Sequence, residues 1–184
     1  MMEIFEFKKS LEEGATILYN TDTVLGLGCD ARSLVGIEKI STIKQRPKDK
    51  SYIVLVANLK MLEFIVGPVT KEIIEKMQHV ERPTTFIFST FKNLPDAISG
   101  HHRSIAIRWT QNKKLQEFIE ELGFPLISTS ANISGNKSPK NIEEVDEIIK
   151  NSVDIVLPHS FDGTGQASKI IKITKNGSLE IIRK

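Results

Sequence analysis

The sequence of 184 residues has a single cysteine, Cys29, so no disulfide can form within the chain. Its opening stretch, MMEIFEFKKSLEEG, lacks the basic region and following apolar run of a secretory leader. No apolar run approaches the roughly 20 residues that a membrane helix needs, and YIVLVA at 52–57 is only strand length. The expectation is a cytoplasmic protein without a membrane role. Charge of one sign is also missing: 25 Lys and Arg against 23 Asp and Glu leave a formal net charge of +2. That is too little to attract nucleic acid by itself, so any basic site must be a local concentration. There is no P-loop and no GxGxxG fingerprint. His101 and His102 are adjacent rather than four apart on a helix, and no Cys–His cluster accompanies them, so no protein-bound zinc is expected. Cys29 has no neighbouring histidine or cation in sequence and reads as a small buried thiol. The sequons at Asn132, Asn136 and Asn176 read as turn chemistry.

What the chain does have is 40% hydrophobic residues, enough for one sizeable core, and residues 1–184 read as one domain. A short helix over 5–13 ends at Gly14, followed by strands at 15–20 and 24–28. Ser33 caps a helix that stops before Pro47, because the residue preceding a proline disfavours helical geometry. After the strand at 52–57 come two helices, one capped by Asn58 and running to about Val66, the other from Thr70 to about His79. Strands at 84–89 and 104–109, a helix at 111–122 and a strand at 125–129 follow. Asn141 and Glu144 suggest a capping box opening a helix over 142–150. DIVLP, SKIIKIT and LEIIR are strands, the last two joined by a tight turn at KNGS, 175–178. Interleaved strands and helices with a closing hairpin predict an α/β fold: a twisted, mostly mixed or antiparallel sheet with flanking helices.

Three constellations could carry chemistry. KQRPKDK places Lys44, Arg46, Lys48 and Lys50 within seven residues. Cations there complement a helix dipole, and they also lie between a helix end and a buried strand, where they could surround a triphosphate. STSAN supplies Ser128, Thr129, Ser130 and Asn132 at a strand end, either as turn formers or as a neutral edge for phosphate and carboxylate oxygens. Ser128 and Ser130 share a face. Arg108 points away from Ile105 and Ile107, which makes it either a water-exposed arginine on an edge strand or a clamp for a substrate carboxylate.

YNTDTVLGLGCDA, IKQRPKDKSYIVLV, RPTTFIF, SIAIRW and PLISTSANISG, in this order and spacing, resemble the YrdC/TsaC family, the threonylcarbamoyl-AMP synthases. The KxR pair Lys44 and Arg46 and the SxN pair Ser130 and Asn132 are the most specific elements. The resemblance implies the short single-domain form of that fold, with a basic concave cleft. It also implies joining of L-threonine, bicarbonate and ATP into threonylcarbamoyl-AMP with release of pyrophosphate. By motif, Lys44 and Arg46 would be catalytic; Lys44, Lys48, Ser104, Ser130, Asn132 and Ser138 would bind ATP; Thr21, Ile53, Arg108 and Ser128 would hold threonine. Mg2+ would accompany ATP, and a downstream threonylcarbamoyl transferase would carry the product to tRNA. The alternative within the same resemblance is a non-catalytic module binding tRNA or double-stranded RNA. The sequence departs from the family pattern at Asn20 (usually proline), Arg82 (glycine) and Thr110 (proline), and SKI at 168–170 replaces Ser-Thr-Ile.

Overall fold

The computed structural model describes residues 4–157, 161–174 and 176–184. Among them, nine strands form one mixed sheet in the order β7-β1-β2-β6-β3-β5-β4-β8-β9. The strands are β1 (Ile17–Asn20), β2 (Leu25–Gly28), β3 (Ile53–Val56), β4 (Thr84–Phe88), β5 (Ile105–Trp109), β6 (Leu126–Ser130), β7 (Ile155–Leu157), β8 (Lys169–Ile173) and β9 (Leu179–Arg183). The helices are α1 (Ile4–Glu12), α2 (Leu34–Ile43), α3 (Leu59–Val66), α4 (Lys71–Gln78), α5 (Lys113–Leu122) and α6 (Glu147–Ser152). No helix among the described residues is long and apolar enough to cross a membrane.

Strand alternation divides the apolar residues between two faces. Val54, Val56, Phe86, Ile105, Ile107 and Ile127 pack under α2, α3 and α4 through Ile37, Ile40, Leu62, Ile65, Ile73 and Met77. On the other face, Ile17, Tyr19, Leu55 and Leu126 meet Phe7 and Leu11 of α1 and Leu115, Ile119 and Leu122 of α5. Beyond those helices runs a row of aligned residues, Ser128–Ile53–Ala106–Ile87–Lys172, crossing β6, β3, β5, β4 and β8. All but Ser128 are at least partly exposed, so this strip is the uncovered floor of the sheet.

The expected caps are present: Ser33 Oγ accepts from Gly36 N (3.2 Å) and Asn58 Oδ1 from Met61 N (3.0 Å). α2 ends earlier than Pro47 requires. Arg46 N donates to Ser41 O (2.9 Å) and Gln45 N to Thr42 O (3.0 Å), a Schellman closure with Gln45 at φ 48°. The helix expected over 142–150 is corrected. Glu144 N does donate to Asn141 Oδ1 (3.0 Å), but this caps only a turn, because Asp146 then takes an extended backbone and caps α6 through Ile148 N (2.8 Å). Two successive Asx caps compete, and the second opens the helix. Lys175 and Pro158, at the ends of two expected segments, lie outside the described residues. Thr174 N to Ser178 O (2.9 Å) and Ile173 opposite Leu179 close the terminal hairpin.

Candidate active site

The KxR and SxN motifs, 86 residues apart, meet through Lys44. Its Nζ donates to the carbonyls of Ser130 and Asn132, the latter at 2.6 Å, and its own carbonyl accepts from Ser134 N (2.8 Å). Asn132 orders the loop in turn, accepting from Ser130 Oγ and donating Nδ2 to Ile133 O and Asn136 O, both at 2.8 Å. Lys44 is only 1% exposed. Burial, with Arg46 and Lys50 adding repulsion, pushes its ammonium down to about 7 from 10.5. Instead of projecting from the loop as a free cation, this lysine stitches the two motifs into one surface. Arg46 lies over the Tyr52 ring (4.5 Å) and donates Nη2 to Ser51 O (2.6 Å). Lys48 and Ser138 are exposed, and Ser104 is half-buried beside a cavity of about 590 Å3 lined also by Ser51, Ser89, His102 and Lys172.

Arg108 is not a water-exposed edge residue: β5 is interior to the sheet and the side chain is 3% exposed. Its Nη2 donates to Asp22 Oδ1 at 2.8 Å, and Thr110 Oγ1 donates to Asp22 Oδ2 at 2.9 Å. Arg108 Nε is buried without a partner among the described residues, and the buried Tyr19 hydroxyl, which faces Ser128, has its ionisation pushed further up by burial. An unmatched buried guanidinium N–H is costly unless a ligand accepts from it. Thr21 is fixed by its own turn, accepting from Thr23 N (3.0 Å) and donating to Val24 O (2.8 Å). Thr21 and Ser128 converge over Gly26, where an added Cβ would sit 3.0 Å from Thr21 Cγ2 and 3.5 Å from Ser128 Oγ. Ile53 pairs directly with Ser128. The four residues expected to hold threonine thus fall on neighbouring strands and one adjoining turn of one sheet region, with Arg108 in the row beside Ile53.

Several residues of this region carry no sequence signal strong enough to single them out. Asp22 sits inside the TDT turn, and Tyr19 looks like core. Thr85 Oγ1 bonds Ser168 Oγ (2.8 Å), and Arg183, from the last strand, donates Nη2 to Ser168 O (2.7 Å). Arg183 and Arg108 lie close enough to repel. The segment leading to Ser168 crosses the TDT turn, with Thr164 N on Asp22 O (3.2 Å) and Gly165 N on Thr23 O (2.7 Å). Only nonlocal pairing assembles these groups.

The Sua5/YciO/YrdC family model, described as telomere recombination, matches residues 9–184. A Vibrio vulnificus protein named threonylcarbamoyl-AMP synthase is 33% identical over 153 residues, 81% of this chain and 82% of its own length. One of the same name from Idiomarina loihiensis is 30% identical over 179 residues, covering 96% of both chains. The fold matches P. abyssi Sua5 complexed with L-threonine with a TM-score of 0.85 and 24% identity, over 100% of this chain and 55% of that one, so this chain spans about half the length of Sua5. It also matches E. coli YciO with a TM-score of 0.78 and 22% identity, over 98% and 88% of the two chains. With the family model spanning all but the first eight residues and the curated relatives aligned over most of their length, the chain belongs to the Sua5/YciO/YrdC family.

Proposed function

We propose that this chain is an L-threonylcarbamoyladenylate synthase, a transferase that joins L-threonine, bicarbonate or CO2 and ATP and releases pyrophosphate. The observation that carries the reading is the buried Arg108 with its unmatched Nε, beside Thr21 and Ser128, on the sheet that also brings Lys44 to Ser130 and Asn132. A carboxylate site therefore adjoins a surface of cations, hydroxyls and amides suited to phosphate oxygens. The names of the curated relatives and the threonine bound by Sua5 agree with this.

In this reading Arg108 donates to the threonine carboxylate, and Thr21, Ile53 and Ser128 enclose its side chain. The threonine amine adds to CO2 and loses a proton, giving a carbamate. A carbamate oxygen then attacks the α-phosphorus of ATP while the bond to the bridging oxygen breaks, so pyrophosphate carries away that electron pair. No covalent protein intermediate is required. Lys44, Arg46, Lys48, Ser104, Ser130, Asn132 and Ser138 orient the nucleotide and neutralise phosphate charge. Mg2+ would travel with ATP on its phosphate oxygens and help neutralise their charge. The product would pass to a threonylcarbamoyl transferase acting on tRNA.

With Mg-ATP and bicarbonate, pyrophosphate release should require L-threonine. Lys44→Ala and Arg46→Ala should each abolish turnover while the fold persists. Release independent of threonine refutes the assignment, and salt-sensitive RNA binding without any release would favour the non-catalytic module.

A further inference from the structure

Among the described residues Arg108 has one anionic partner, Asp22, and that partner is itself held from a second side. Asp22, 5% exposed, receives Arg108 Nη2 on Oδ1 (2.8 Å) and Thr110 Oγ1 on Oδ2 (2.9 Å). Thr110 is fully buried and fixed on every polar atom. Its N–H reaches Val56 O (3.3 Å), its carbonyl accepts from Gln116 Nε2 (2.7 Å) and its hydroxyl oxygen accepts from Asn112 N (3.3 Å). Because a carboxylate can only accept, the hydroxyl's single proton is directed at Asp22 while its oxygen accepts from Asn112 N. A carboxylate held at both oxygens cannot swing about its last torsion, and a guanidinium held by that carboxylate keeps its plane. Arg108 Nε remains buried and unmatched in that plane.

We infer that Thr110 and Asp22 are positioning residues for Arg108: a relay of hydrogen bonds that holds the guanidinium so that its free Nε–H meets the carboxylate of the amino-acid substrate. The inference rests on the synthase reading for the identity of that substrate. The relay acts on ground-state capture of the carboxylate and leaves the nucleotide surface at Lys44 untouched. Loss of the Thr110 hydroxyl lets Asp22 rotate, and Arg108 then presents Nε in many orientations where it now presents one.

The test is steady-state pyrophosphate release by the purified chain with Mg-ATP and bicarbonate, varying L-threonine and ATP in turn. Thr110→Val raises the KM for threonine about tenfold, the size of one well-placed hydrogen bond to a charged group, with kcat and the KM for ATP unchanged. Thr110→Ser, which restores the hydroxyl, returns the threonine KM to the parent value. An unchanged threonine KM in Thr110→Val overturns the relay. Equal rises in both KM values, or failure of Thr110→Ser to rescue, indicate a purely structural hydroxyl and overturn it as well. If Thr110→Val does not fold, Thr110→Ala is compared in the same way. Should the parent chain release no pyrophosphate, the synthase reading fails on its own. Calorimetric titration with L-threonine alone then decides the relay: about tenfold weaker binding in Thr110→Val supports it, and equal or absent binding in both proteins overturns it.

Discussion

Lys44 shows how much a single residue's surroundings alter its chemistry. The native ammonium is pushed down to about 7 by burial and by its cationic neighbours, whereas an unfolded lysine stays near 10.5. Below about pH 7 both states hold the proton and the full cost of burying it is present; between 7 and 10.5 only the unfolded state does, so Lys44 makes stability rise with pH. Urea unfolding of the parent and Lys44→Met at pH 7 and pH 9 should show a larger gain with pH in the parent. If ATP binds as proposed, a phosphate at this lysine would restore its charge, so ATP binding at pH 8 should take up protons, measured as a dependence of calorimetric heat on the buffer's ionisation enthalpy. Arg108 presents the opposite case, a buried ion pair. Arg108→Ala leaves Asp22 without its cation and should cost about 3–5 kcal/mol in urea unfolding, part of it recovered in the double variant with Asp22→Asn.

Among the elements, the end of α2 is where local preference yields to the site. Gln45 occupies the left-handed position of a Schellman closure that glycine usually fills, and its turn sets Lys44 inward and Arg46 onto Tyr52. Gln45→Gly should raise stability by about 1 kcal/mol, seen as a higher Tm. Elements governed by their own residues were readable in advance: the caps at Ser33 and Asn58 and the apolar strands. The start of α6 was not, because Asn141 and Asp146 offer competing caps and only the packing of Val145 and Ile149 selects between them. The motif residues of the site were legible through their resemblance to a family. Asp22, Thr85 and Arg183 were not: Thr85 and Arg183 gain their places from strand register and Asp22 from partners on and just after β5, and pairing between distant segments leaves little mark on local sequence.

At the scale of the whole molecule, the end of the chain returns to its beginning. Arg183 pins Ser168, and the segment before Ser168 lies on the turn that holds Thr21 and Asp22. A Cβ on Gly163 would fall 2.6 Å from Thr21 O and 2.8 Å from Thr23 O, both backbone atoms. Gly163→Ala should therefore lift this segment, costing about 1–3 kcal/mol in urea unfolding and weakening threonine binding by calorimetry. The place of β6 has a different consequence. It lies between β2 and β3, yet it follows β5 and α5 in the chain, so it is the late-made strand that joins β1–β2 to β3–β5–β4. During translation the two groups of strands emerge before anything can bridge them. A ribosome-bound chain stalled ahead of Leu126 would carry Lys44 and Arg108 but neither the carbonyls that receive the lysine nor Ser128, and ligand capture would begin only once β6 had cleared the exit tunnel.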